Sequence, residues 1–108
     1  MVYVGFMIAG IALYWVGFFF DSSSSEKVAS VGGKEWNPLS RDKDGKFSPA
    51  KNLIWTIGFF TAVLISHFTW LPDDQKGYTG PALLLIGAVR LVVAFAVNYP
   101  LYRKLKKI

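Results

Sequence analysis

The chain has 108 residues, 53% hydrophobic and 17% aromatic, with a formal net charge of +5 and no cysteine. The apolar residues gather in three long runs, and what remains is too little to cover three all-round apolar helices, which excludes an ordinary soluble domain. Without cysteine the chain can form neither a disulfide nor a thiolate metal site of its own.

Residues 2–20, VYVGFMIAGIALYWVGFFF, carry no charge. At ~1.5 Å per residue this run is long enough to cross ~30 Å of hydrocarbon. It lacks the basic n-region and small-residue cleavage site of a secretory signal and ends on bulky Phe18, Phe19 and Phe20, so it is expected to be a retained anchor. Residues 21–35, DSSSSEKVASVGGKE, are poor in large apolar side chains and are expected to form a flexible linker. Around Lys43-Asp44-Gly45-Lys46 a tight turn is expected, because glycine accepts the positive φ such turns require. Asp42 and Asp44 resemble part of a calcium loop, but no third acidic ligand precedes the glycine and no glutamate closes the series. Trp36 and Phe47 are expected either at the membrane surface or in a pocket on a neighbour.

Ser48-Pro49 has the form of a helix start, with serine as N-cap and proline at the first position. The second span runs from there to Leu71 and stops at Pro72. A short polar hairpin, PDDQKGYTG, connects it to a third span opened by Pro81 and closed by Asn98-Tyr99-Pro100. So short a connection makes the second and third helices antiparallel neighbours. The expected fold class is therefore all-α, an integral membrane protein with transmembrane helices over 1–20, 49–71 and 81–100. A loop, 21–48, a hairpin, 72–80, and a basic tail, 101–108, complete it.

Lys27, Lys34, Arg41, Lys43, Lys46 and Lys51 lie between the first two runs, and Arg103, Lys104, Lys106 and Lys107 lie in the tail. An even number of spans puts these two groups on one side, so the positive-inside rule places the N-terminus outside and the long loop and C-terminus on the cytoplasmic or equivalent side. The basic tail is expected to meet anionic lipid, and no nucleic-acid partner is expected.

Small residues in rows mark where membrane helices can approach. Gly58, Ala62 and Ser66 make one such row, and Gly5, Ala9 and Ala12 another, while Gly10 and Gly17 stand seven apart on a different side of the first helix. Trp55, Trp70 and Tyr99 are expected as interface anchors.

Arg90 is the one permanent charge inside a run. Nine positions from Pro81 it would lie about 13 Å deep, beyond easy snorkelling. A helix-centre arginine costs roughly 2.5 to 3.5 kcal/mol on translocon scales, so a compensating partner is required. Gly87 and Ala94 share its face and let another helix come close. None of Asp21, Glu26, Glu35, Asp42, Asp44, Asp73 and Asp74 falls inside a span. Asp21 lies at the inner boundary, and Asp73 and Asp74 at the hairpin are within reach only of a strongly snorkelled guanidinium, so a full counter-charge at mid-membrane is expected from outside the chain: foremost a second protein, otherwise lipid or water together with Asp73 and Asp74, or a bound anion. His67, the only histidine, cannot build a metal site alone and is expected to hydrogen-bond a neighbouring helix or the headgroup layer.

No nucleophile with its base, paired-carboxylate site, phosphate loop or dinucleotide fingerprint is present. These features lead to a non-catalytic accessory subunit of a larger membrane complex, of the oxidase, dehydrogenase or membrane monooxygenase type. Arg90, His67, Gly58, Ala62, Ser66, Gly87, Ala94, Gly5 and Ala9 would contact integral-membrane partners, with lipid but no cofactor bound by the chain alone. The alternative is a small self-associating channel or transporter with Arg90 and His67 lining an anion or proton path.

Overall fold

The computed structural model describes residues 2–35 and 37–107, with side chains from residue 4 onward. Trp36, expected at a membrane surface or in a pocket, lies outside the described residues. Helix α1 covers Val2–Ser30, α2 covers Pro49–Thr69, and a 3-10 turn, Asp73–Tyr78, leads into α3, Thr79–Val92. A π-helical turn, Val93–Asn98, then passes into α4, Tyr99–Lys106. The described residues are helical apart from loops, turns and a single bridge between Arg41 and Phe47. Three helical stretches are long and apolar enough to cross a membrane: Val4–Ser30, Pro49–Thr69 and Asp73–Lys106.

Two of these outrun the boundaries expected from composition. The expected linker over 21–35 is helical as far as Ser30, and two of its serines are withdrawn from solvent: Ser24 and Ser25 are buried, and both accept from Asn98 Nδ2, at 3.0 and 3.2 Å. Small hydroxyl side chains let α1 stay close to its neighbour while satisfying that amide, a stabilisation that composition alone does not register. With 29 residues α1 is about 43 Å long at ~1.5 Å per residue, longer than a hydrocarbon core of ~30 Å, and its last third is polar. The third span likewise does not stop at Pro100. Pro100 lacks an amide hydrogen and its ring crowds the carbonyl four residues back. The turn before it is wide, with the Tyr99 amide bonded to the Ala94 carbonyl, five residues back, and the helix continues through the tail.

The closely packed pair is α1 with α3, and α2 stands off from both, where the short hairpin suggested α2 with α3. Gly10 faces Gly80 and Gly17 faces Gly87, so α1 and α3 run parallel. A Cβ on Gly17 would lie 2.8 Å from the Gly87 Cα, and one on Gly87 the same distance from the Tyr14 nitrogen. No side chain larger than hydrogen fits either place. Each row extends by one more step of seven, through buried Ser24 on α1 and buried Ala94 on α3. A seven-residue period keeps both rows on the seam of a left-handed pair.

Ser48 caps α2 as expected, its side chain accepting from the Lys51 amide at 3.3 Å. In the preceding turn Gly45 has φ of 80°, the glycine-favouring region. Asp42 Oδ1 accepts from the Lys46 amide (3.0 Å) and the Asp44 amide (2.9 Å), and these bonds, Lys46 first, hold the carboxyl below the usual carboxylate range. Because the folded value is depressed, the stability it contributes is complete above the ordinary aspartate pKa. It is lost as pH falls through the folded value. Hydrogen-exchange protection of the Asp44 and Lys46 amides is expected to fall across that acid range, and protection unchanged there would show that the carboxylate does not hold the turn.

Candidate functional site

Arg90 sits where all three helices and the loop meet. Gly17 faces Gly87, Asp21 lies one turn beyond Gly17, and Arg90 lies just under one turn beyond Gly87. The packed glycines thereby bring carboxylate and guanidinium to one level. Arg90 Nε donates to Asp21 Oδ2 at 2.8 Å, one terminal nitrogen donates to Thr56 Oγ1 at 2.9 Å, and the other to Asn52 Oδ1 at 2.7 Å. Asn52 and Thr56 are four apart on α2 and so share a helix face. The guanidinium carbon lies 4.6 Å from the Trp55 ring centroid and 5.4 Å from that of Phe18.

The loop closes the node. Ser40 Oγ donates to Asn52 Oδ1 at 2.8 Å and accepts from Trp55 Nε1, also at 2.8 Å, while the Ser48 amide donates to the Ser40 carbonyl at 2.7 Å. Tyr14, fully buried on α1, donates to the Thr56 carbonyl at 2.7 Å and stacks on Phe60. These bonds attach α2 to a pair of helices whose backbones it does not closely approach. Asn52 Nδ2 is buried without a hydrogen-bond partner among the described residues. Beside the node a cavity of about 340 Å³ is lined by Asp21, Glu35, Asn37, Trp55 and Arg90, with Val89 among its apolar wall.

The expectation that Arg90 must find its partner outside the chain is corrected. It is 5% exposed, and each of its three nitrogens donates to a side chain of its own polypeptide. The difference is one of depth. Measured from Pro81 on its own helix, Arg90 is mid-run; against α1 it stands at the end of the apolar 2–20 stretch, level with Asp21. Charge-assisted hydrogen bonds contribute roughly 1.5 to 3 kcal/mol each, enough in number to offset an insertion cost of about 3 kcal/mol.

Gly87 and Ala94, expected to admit a foreign helix, admit α1. His67, 5% exposed, shares a 2.7 Å hydrogen bond between Nδ1 and Thr79 Oγ1, joining α2 to α3 at the hairpin end. Trp55 is half-buried within the node and Tyr99 packs on Phe95, whereas Trp70 is 70% exposed near the hairpin. Gly58, Ala62, Gly5 and Ala9 are exposed, and Ser66 is partly so, its hydroxyl bonded back to the Ala62 carbonyl. Among the described residues a Cβ at Gly5 or Gly58 would meet nothing within 4 Å. The strongest small-residue row in the sequence therefore does not pack the chain's own helices. Asn52, Thr56, Ser40 and Tyr14 were not foreseen; the four-residue spacing of Asn52 and Thr56 behind Ser48 was the available signal. Among the described residues no three His, Asp or Glu side chains gather as a metal site.

The fold is all-helical, with three helices long and apolar enough to span a membrane, joined by the polar node. No protein-family description, curated protein sequence or solved structure matches the chain.

Proposed function

We propose that this chain is a non-catalytic accessory subunit of a larger membrane complex, lying with its loop and basic tail on the cytoplasmic or equivalent side. The observation that carries this reading is the Gly58–Ala62–Ser66 row. Its residues face away from the chain's own interior, and Ala62 and Ser66 open into a groove of about 370 Å³ between α2 and α3, across from Ala82. Small residues at such a surface let a foreign helix approach closely. Arg90 has a different role from the one expected of it. It fixes the internal arrangement that presents α2, and the partner surface is the small-residue row with Gly5 and Ala9 on α1. An oxidase, dehydrogenase or membrane monooxygenase complex remains the proposed setting, on the associational ground that such assemblies carry ligandless subunits of this size.

The channel alternative asks Arg90 and His67 to line one path. Both are buried and bonded within the chain, at levels about 17 Å apart along α3 at ~1.5 Å per residue between Thr79 and Arg90. Native purification in mild detergent is expected to yield unlike membrane chains in fixed ratio. The double substitution Gly58→Leu with Ala62→Leu is expected to lower their recovery at least tenfold while the isolated chain keeps its helicity. Recovery of the native chain only as a monomer or as copies of itself would overturn the subunit reading.

A further inference from the structure

At the loop end, α1 and the continuation of α3 leave a second cleft, of about 380 Å³, lined by Lys27, Phe95, Tyr99, Tyr102 and Arg103. Among the described residues no acidic side chain lines it. Its two cations come from different helices, and the Lys27 ammonium is held 5.4 Å from the Tyr102 ring centroid, with Lys106 at 5.6 Å. Phe95 also lines an adjoining apolar groove with Leu91, Val92 and Ala96. Val92 and Phe95 are 62% and 53% exposed there, large apolar surfaces turned away from the chain. From Arg103 to Leu91 is about 18 Å along a helix rising ~1.5 Å per residue. The surface is thus cationic at one end and apolar over a length matching a headgroup and the upper part of an acyl chain. Both halves lie where α3 passes from Arg90 toward the basic end.

We propose that this cleft and the groove that shares Phe95 with it bind one anionic phospholipid, its phosphate between Lys27 and Arg103 and an acyl chain along Phe95, Val92 and Leu91. Charge complementarity selects the headgroup, and the apolar groove makes a lipid, not free phosphate, the ligand. Generic attraction of a basic tail to a charged surface would depend on the number of cations; a cleft depends on which cations. The inference stands apart from partner association, since it concerns the isolated chain in lipid.

The full chain is placed in nanodiscs of phosphatidylcholine containing a minor share of phosphatidylglycerol, and co-purifying lipid is counted by native mass spectrometry after transfer to detergent. One phosphatidylglycerol per chain is expected to be retained in preference to phosphatidylcholine. Lys27→Gln with Arg103→Gln should reduce that preference at least fivefold, while Lys34→Gln with Lys51→Gln, which removes the same charge elsewhere, should leave it nearly intact. Circular dichroism checks that both variants keep native helicity. Equal losses in the two variants, no phosphatidylglycerol preference, or displacement of the lipid by millimolar inorganic phosphate would each overturn the proposal.

Discussion

Replacing Gly17 or Gly87 by alanine is expected to destabilise the folded chain, whereas the same change at Gly5 or Gly58 leaves it unchanged or slightly more stable. All four glycines are in helices, where exchange for alanine ordinarily gains about 0.5 to 1 kcal/mol by restricting the unfolded chain. At Gly17 and Gly87 the new methyl would meet backbone of the facing helix, which has no rotamer with which to yield. Overpacking typically costs about 1 to 3 kcal/mol, and a rigid backbone obstacle places these sites at the upper end of that range. The helices must separate along the seam, and with it the level match of Asp21 and Arg90 is lost. Unfolding in mixed micelles of mild and denaturing detergent, followed by tryptophan fluorescence and helicity, gives the four shifts. Equal shifts at all four positions would mean that α1 and α3 do not meet through these glycines.

The second large effect is expected at the node. Removing one member of a buried ion pair leaves the other charged and unpaired, a loss of about 3 to 5 kcal/mol, while replacing both with apolar groups of similar volume is often close to neutral. Arg90→Met should thus be severely destabilising, as should Asp21→Leu, because either leaves its former partner without a counter-ion. The double variant Arg90→Met, Asp21→Leu is expected to recover much of the loss, short of the native level because Thr56 and Asn52 also lose their donor. Additive effects of the two changes would show that the residues do not interact.

Much of the architecture was readable from the chain because it depends on properties that single residues carry. Three apolar runs gave three helices, Ser48-Pro49 gave the start of α2, and Asp-Gly gave the turn at Gly45. What could not be read was relational. The depth of Arg90 depends on which helix lies beside it, and the register of α1 against α3 follows from facing glycines that are distant in sequence. Gly10 and Gly17 were visible as a pair seven apart, yet nothing in their own segment indicated Gly80 and Gly87 as their counterparts. Asp21 was seen as a boundary residue because composition changes there, although the helix does not end. Extending α1 by nine residues past that boundary is what lets Ser24 and Ser25 meet Asn98 and keeps the carboxylate fixed on a rigid element.

Everything proposed for the outer faces depends on an interior that is already satisfied. The most direct test is a dipolar-coupling distance in lipid bilayers between ¹⁵N at the Arg90 side chain and ¹³C at the Asp21 carboxyl, assigned by difference against an Arg90→Lys sample. A separation within about 4 Å is the predicted result, as a direct hydrogen bond between the two groups requires. A longer separation in the isolated chain that leaves Arg90 contacting only lipid, or only an added partner, would contradict it.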